Sequence, residues 1–461
     1  MCGVFGIRSD ERDVSRLAYF GLFALQHRGQ ESAGIAVAEN GRLTAVRELG
    51  LVSQVFDEQT LRGLRGEIAI GHTRYSTTGS THWANAQPLV HHGRARTIAL
   101  GHNGNLTNAE EVRAELVEAG ITLRSTSDTE VIAALIANEE GSLAEAVAAA
   151  MGRLEGAFTV TAISEGKLVA FRDPHGFRPL CLGSLDGDPV VASESCALDL
   201  VGATFEREIA PGELVLIDEE GVHTTQAVPQ EGSGKFCIFE VFYLARPDST
   251  IGGVEMHTAR VRMGQQLARE APVEADLVIP IPDSGTPAAI GFSRESGIPF
   301  SEGLIKNRYV GRTFIEPDQG MREQGIRMKY NPLEDVAGKR VVAIDDTIVR
   351  GNTTRQIVAM LRDAGATEVH IRISSPPIVS PCFYGIDFGD AEQLIASDKS
   401  VEEVRSEIGA TSLAFLSLEG LQESTDRPAS EFCRACLTRE YPTRIPDGRT
   451  LAKMRFEPSP A

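Results

Sequence analysis

The amino-acid sequence predicts two unlike folds in one chain, an α+β block followed by an α/β block built on a parallel sheet, and three features carry that expectation. Up to about residue 229, β-rich runs such as GAFTVTAISEGKLVAFRDP and PVVASES alternate with turns, the pattern of stacked sheets flanked by helices. Residues 227–235 then shift to AVPQEGSGK, a polar Gly/Ser/Pro passage that reads as a linker. Beyond it, apolar strands and periodic helices alternate at crossover spacing, as in a parallel sheet.

Composition narrows the class. A chain of 461 residues suggests two or three domains, and 42% hydrophobic with 24% charged residues is the balance of a folded soluble protein. The net charge of −19 argues against a surface that collects nucleic acid or anionic membrane, which needs basic patches that release counterions. No apolar run approaches the ~20 residues of a membrane span. MCGVFGIRSDERD becomes charged too early for a signal peptide. Seven cysteines without an export signal suggest thiols, metal ligands or a nucleophile rather than disulfides, and a cytoplasmic location.

The first block opens on a short apolar strand whose second residue is Cys2. Removal of Met1 would leave a thiol and an α-amine on one residue, and an amine with a pKa of about 7.7 to 8 can serve as base for its own side chain. Taken alone, Cys2 reads as a buried strand cysteine. Three later strings change that reading. GHTRYST (71–77) puts Arg74 just past a short strand, where a guanidinium can grip a carboxylate in bidentate fashion. GHNGNLTN (101–108) packs Asn103 and Gly104 into a turn that offers an amide and a backbone N–H to one oxyanion. STSDTEV (125–131) sets Asp128 at a helix start, where an N-cap is the plain alternative.

With QHRGQES (26–32), these strings resemble the glutamine amidotransferase domain of the N-terminal nucleophile hydrolases. The resemblance implies a four-layer αββα fold, with Cys2 as nucleophile and Asn103 and Gly104 as oxyanion hole. It also implies that Arg74 and Asp128 hold the carboxylate and ammonium of glutamine, while Asp128 caps its helix as well. Only Met1 precedes Cys2, so processing should need no more than a methionine aminopeptidase. FRDPHGFRPL (171–180) matches too, and its charges are assigned to turn and core stabilisation. Cys181 and Cys196 lie in apolar contexts and read as inert.

In VVAIDDTIVRGNTT (341–354), the apolar residues read as a central strand of a parallel sheet covered on both faces. Asp345 and Asp346 follow at its carboxyl end. Two carboxylates are costly to bury unpaired, so they should face a polar ligand or a metal above the sheet. Arg350, Gly351, Asn352, Thr353 and Thr354 form a turn into a helix that can present N–H groups to a phosphate. Acids for sugar hydroxyls beside a phosphate turn describe a ribose 5-phosphate site. ADLVIPIPDSG (275–285) ends a second strand in Asp283, Ser284 and Gly285, which fit a pyrophosphate loop. Between the two, Lys306, Arg308, Arg312, Arg322, Arg327 and Lys329 form a basic segment, expected to be mobile and anion-binding.

These strings resemble the type I phosphoribosyltransferases, whose substrate is phosphoribosyl diphosphate (PRPP). The resemblance implies ribose contacts from Asp345 and Asp346, 5-phosphate contacts from residues 350–354 and diphosphate contacts from Asp283, Ser284, Lys306 and Arg308. Mg2+ would enter with PRPP at Ser284, Asp345 and Asp346, because hard oxygen ligands suit it. Over nearly the whole chain, the paired halves resemble the glutamine PRPP amidotransferase family. That family implies glutamine hydrolysis at Cys2 and attack of the ammonia on C1 of PRPP, giving 5-phosphoribosylamine, glutamate and pyrophosphate, the first committed step of purine synthesis. It also implies purine nucleotide inhibitors and a homotetramer. The expected parts are an amidotransferase domain at 2–229, a phosphoribosyltransferase domain at 236–430 and a C-terminal segment at 431–461.

Cys237, Cys382, Cys433 and Cys436 remain. By spacing they are compatible with zinc, an iron–sulfur cluster or no metal. The iron–sulfur branch of the family has cysteines in the same local strings, so the resemblance implies a [4Fe–4S] cluster on these four. Two rival functions remain to be weighed. A PRPP-sensing DNA regulator should carry a basic reader domain, whereas this chain spends its N-terminus on the Cys2 nucleophile constellation, and an amidotransferase with another acceptor is disfavoured by the Asp345–Asp346 stretch.

Overall fold

The computed structural model describes residues 2–76, 78–307, 328–388 and 390–446. The strand after Cys2, Gly3–Arg8, pairs antiparallel with Ile68–Arg74 on one side and Asp188–Ala192 on the other. It is thereby central in a seven-stranded sheet that also holds Ser32–Glu39, Arg42–Leu49, Cys181–Leu185 and Thr204–Glu208. A six-stranded antiparallel sheet lies behind it and includes Thr97–Leu106, Gly156–Ser164 and Lys167–Arg172.

Alternation along the strands explains the layers. Phe5 and Ile7 join the core under helices Val14–Ala24 and Ser195–Val201, whereas Val4 joins the core between the sheets. Beyond the second sheet, helices Ala109–Glu118, Asp128–Asn138 and Leu143–Met151 bury Val112, Ile132 and Val147 against Leu100, Phe158 and Val160. Helix, sheet, sheet and helix therefore stack in the expected αββα order.

The second half is a four-stranded sheet in the order Leu277–Pro280, Arg340–Asp345, Glu368–Ile373 and Ser412–Phe415, parallel throughout. Its second strand is covered on both faces. Val342 and Ile344 pack under helices Met256–Glu270 and Thr286–Ser296, while Val341 and Ala343 pack under Asn352–Asp363 and Val401–Ile408. Two short strands clasp this half: Phe236–Cys237 and Phe432–Cys433 pair in parallel with Cys237 opposite Cys433.

Three local expectations are corrected. Arg74 is the last residue of its strand rather than just past it. Asn103 and Gly104 lie within a ten-residue strand, not a turn, because their ladder with Thr159 and Phe158 continues unbroken. The cap of the helix at 128 is Ser127, whose hydroxyl accepts from the Thr129 N–H, and Asp128 is the first helical residue.

The halves are joined by buried charge. Arg28 pairs with Glu194 in its own half and with Glu240 in the other, its Nη2 lying 2.6 Å from Glu240 Oε2. Arg178 Nη1 lies 3.4 Å from Glu240 Oε1, and its Nε and Nη2 donate to the Tyr384 carbonyl at 3.1 and 2.7 Å. All four charged side chains are fully buried. Burial alone would raise the Glu194 carboxyl, but Arg28 and His27 overcome it and hold the group well below the usual range. The FRDPHGFRPL charges therefore divide: Asp173 holds its turn by accepting from the Phe158 and Phe177 N–H groups, as expected, whereas Arg178 bridges the halves. Breaking a buried pair from one side costs roughly 3–5 kcal/mol, because the remaining charges stay buried. Glu240→Ala is therefore expected to lower the thermal midpoint sharply in calorimetry, and a midpoint equal to wild type would show that the pair carries no net stability.

Candidate active site

Cys2 stands at the open end of the first strand and is almost fully buried. Its backbone N donates to Asn103 Oδ1 at 3.2 Å, and its Sγ lies 3.6 Å from the Tyr75 carbonyl. Because Oδ1 must face that donor, Nδ2 of Asn103 points elsewhere. It is buried and has no hydrogen-bond partner among the described residues. An orphaned buried donor is expensive and marks a place where a ligand atom belongs. Gly104 follows with φ +155, and a Cβ there would meet the Ala157 carbonyl oxygen at 2.0 Å, so this backbone can pass only as glycine.

Arg74 is buried and donates to the Thr78 and Ser80 carbonyls at 3.1 Å each, which curls residues 78–80 around the guanidinium. Glu31 lies 3.8 Å from Arg74 and accepts from the Ser76 N–H at 2.9 Å, so it braces the same loop. Asp128 Oδ2 accepts from the Leu106 N–H at 3.0 Å, two residues beyond Gly104. Beneath this floor, burial pushes the His72 imidazole down to about 3 and lowers His102 as well, so both are neutral near pH 7. Sequence reasoning passed over Tyr75, Glu31 and the two histidines. The signal for Tyr75 and the histidines was adjacency to Arg74 and Asn103 in the GHTRYST and GHNGNLTN strings, and Glu31 stood in QHRGQES.

In the second half, Asp345 ends its strand and Asp346 is buried beside it, with the Asp346 N–H donating to Asp345 Oδ1 at 2.9 Å. Burial raises the Asp345 carboxyl well above the ordinary range, and the neighbouring Asp346 charge adds to it. Burial likewise pushes Asp346 up to about 6, against the lowering effect of a Ser284 hydrogen bond and of Arg260. Asn352, Thr353 and Thr354 turn out to form the first turn of helix Asn352–Asp363 rather than a loop before it, and Gly351 precedes it in the left-handed region at φ +75. That arrangement aims free helix N–H groups and a positive dipole end into the space beside the acids. Arg350 is exposed at its rim.

Gly285 caps helix Thr286–Ser296, which puts Ser284 and the exposed Asp283 at its entrance. Lys306 is ion-paired with Asp283. Arg308 lies outside the described residues, as do Met1, Thr77, Arg312, Arg322, Arg327 and the tail after 446. Oxygen donors at Ser284, Asp345 and Asp346 suit a hard cation, and two carboxylates held together without one repel.

The four remaining cysteines also converge. Cys237 and Cys433 sit opposite one another in the clasp, and Cys382 and Cys436 lie within electrostatic reach of both. Burial raises the Cys433 and Cys436 thiols, and pushes Cys237 up to about 11 against the lowering pull of Arg178. Among the described residues, no group of three or more His, Cys, Asp or Glu is spaced to hold a metal ion. Cys181 and Cys196 are buried elsewhere with raised thiols, as expected of inert cysteines.

Residues 72–199 match the family described as a glutamine amidotransferase domain, and residues 259–374 match the phosphoribosyl transferase domain family. The chain is 52% identical over 470 residues to the amidophosphoribosyltransferase of Mycobacterium tuberculosis, covering 99% of this chain and 89% of that one. This chain belongs to the amidophosphoribosyltransferase family. The Bacillus subtilis amidophosphoribosyltransferase is 48% identical, covering 96% of this chain and 94% of its own. The solved glutamine PRPP amidotransferase of B. subtilis, complexed with ADP and GMP, superposes with a TM-score of 0.91 at 47% identity, covering 98% of this chain and 99% of that one. As an amidophosphoribosyltransferase, the protein transfers ammonia from glutamine to PRPP in the first step of purine biosynthesis.

The acid pair of this amidophosphoribosyltransferase carries a pH signature. Carboxyls raised in the folded state contribute stability that is complete below the unfolded aspartate pKa of ~3.9 and is lost as pH rises through the folded values, about 6 for Asp346. Asp346→Asn removes that loss. It should stabilise the ligand-free protein by on the order of 1 kcal/mol at pH 8 and by much less near pH 4.5. Thermal midpoints at the two pH values check this, and an equal or lower midpoint at pH 8 would show that the carboxylates do not strain each other.

Proposed function

We propose that the two halves divide the family reaction between the sites above, with residues 2–229 as glutaminase, 236–430 as phosphoribosyltransferase and 431–461 as a segment closing the cysteine group. The observation that carries the glutaminase assignment is the orphaned Asn103 Nδ2 beside Cys2. After loss of Met1, the Cys2 α-amine takes the thiol proton and Sγ attacks the amide carbon of glutamine. The tetrahedral oxyanion is then stabilised by Asn103 Nδ2 and the Gly104 N–H. Ammonia leaves with the proton returned by the α-amine, and water releases glutamate from the thioester. Arg74 and Asp128 hold the carboxylate and ammonium of the substrate.

Ammonia then attacks C1 of PRPP and pyrophosphate leaves. Asp345 and Asp346 orient the ribose hydroxyls, and Arg350, Gly351, Asn352, Thr353 and Thr354 hold the 5-phosphate. Asp283, Ser284, Lys306 and Arg308 meet the diphosphate, so Lys306 must exchange Asp283 for substrate. Mg2+ at Ser284, Asp345 and Asp346 would supply charge neutralisation for the leaving diphosphate.

We also assign the chain to the iron–sulfur branch, with a [4Fe–4S] cluster on Cys237, Cys382, Cys433 and Cys436. Four soft thiols from three segments, with Cys433 and Cys436 in one, would hold that group. The cluster would supply a cross-link rather than a reaction step. Feedback by purine nucleotides follows from the ADP and GMP carried by the B. subtilis relative. A homotetramer in the cytoplasm completes the reading.

Cys2→Ala should abolish glutamine-dependent synthesis and leave ammonium-dependent synthesis intact, because the acceptor site lies in a separate fold. Loss of both would overturn the two-site division. Protein purified without oxygen should be brown and carry about four irons per chain. Colourless zinc protein would sink the cluster and leave the catalytic assignment standing.

A further inference from the structure

The backbone that forms the proposed oxyanion hole is touched from behind by the other half of the molecule. Gly385 lies in the phosphoribosyltransferase half with φ +109, and a Cβ there would meet the carbonyl carbon, oxygen and Cα of Gly104 at 3.1, 3.2 and 3.3 Å. Within the glutaminase half, a Cβ on Gly104 would stand 2.0 Å from the Ala157 carbonyl oxygen and 2.8 Å from His102 Nε2. Backbone atoms from both halves therefore crowd Gly104.

The segment that provides the second wall is itself fixed from the glutaminase side. Asn105 Nδ2 donates to the Phe383 carbonyl at 3.0 Å, with Asn105 oriented by the Thr78 hydroxyl at 2.6 Å on its Oδ1. Arg178 donates twice to the Tyr384 carbonyl, at 3.1 and 2.7 Å. The Tyr384 ring stacks on Phe177 with centroids 4.2 Å apart. Three consecutive residues, 383 to 385, thus make specific contacts to the catalytic strand or its neighbours.

We propose that this 383–385 segment, and Gly385 in particular, is a positioning element for glutamine hydrolysis supplied by the phosphoribosyltransferase half. It bears on the Gly104 Cα and on the Gly104–Asn105 peptide, and through the backbone torsions of Gly104 on the aim of the Gly104 N–H in the preceding peptide. The inference rests on the oxyanion role proposed for Asn103 and Gly104. Donors must be aligned to within a fraction of an ångström to act on a developing charge, and a misplacement near 1 Å can cost about 100-fold in rate. Glutamine binding through Arg74 and Asp128 does not pass through this segment, and neither does the acid pair at 345 and 346.

Gly385→Ala pushes on Gly104 by a few tenths of an ångström and should reduce kcat for glutamine hydrolysis by about 10-fold or more, with the KM for glutamine within about 2-fold of wild type. Ammonium-dependent synthesis should be unchanged, and the thermal midpoint should fall only by roughly the few degrees that alanine at φ +109 costs. Asn105→Asp keeps the size of the side chain and its acceptor for Thr78 but turns an oxygen toward the Phe383 carbonyl, and it should show the same split. Asn103→Ala serves as the reference. If Asn103→Ala is inactive with glutamine while both other variants match wild type, the positioning inference fails and the oxyanion reading survives. Full glutaminase activity in Asn103→Ala would remove both together. Parallel loss of the glutamine- and ammonium-dependent rates with a lowered midpoint in Gly385→Ala and Asn105→Asp would reduce the contact to a structural one and overturn the proposal.

Discussion

Burying a charge in protein is tolerable only when partners replace the water it loses, and the architecture of this molecule follows from where that condition is met and where it is not. Glu240 is enclosed by Arg28 and Arg178, and Glu194 by Arg28 and His27. Those satisfied groups lie at the junction, where they fix one fold against the other. Asp345 and Asp346 are close together and stay raised despite the pull of Arg260, and Asn103 Nδ2 is buried without a partner among the described residues. Those unsatisfied groups lie at the two centres proposed for the chemistry. On that reading the protein carries the cost in the empty state and recovers it when substrate arrives, which is how catalytic groups come to be preorganised.

Most of the architecture was legible from periodicity. Alternation in GVFGIR and the continuous apolar run of VVAI are direct records of a strand with two differently used faces and of a strand covered on both. What local pattern could not foresee is how far a ladder runs. Glycine and asparagine in GHNGNLTN look like turn residues, yet pairing with Gly156–Ser164 holds them extended, and the glycine is there because a neighbouring carbonyl leaves no room for a Cβ. In the same way, Ser127 displaced Asp128 as the cap, since a cap is chosen by backbone geometry as well as residue type.

The residues proposed for the chemistry stood out in sequence because each lies in a short string with an improbable combination of types. Those that support them did not. Arg178 sits in FRDPHGFRPL, where nothing local distinguishes an arginine that stabilises its own turn from one that reaches Tyr384 more than two hundred positions away. Gly385 is likewise an ordinary loop glycine until its distance to Gly104 is known. Long-range partners are a property of the packed state, and one sequence does not carry them.

The clasp between Phe236–Cys237 and Phe432–Cys433 bears on how the molecule comes into being. A ribosome delivers the chain from its first residue onward, so the antiparallel sheets that end at Gln226 can be complete while the second half is still being made. The second half has no such freedom: its opening strand waits for a partner nearly two hundred residues later, within the last thirty residues of the 461-residue chain. During that interval the apolar residues around Glu240, such as Ile238 and Phe242, have emerged without their later neighbours, although Arg28 and Arg178, the partners of Glu240 itself, are already made. The second half therefore closes its clasp only near the end of synthesis, after the first half can already be packed.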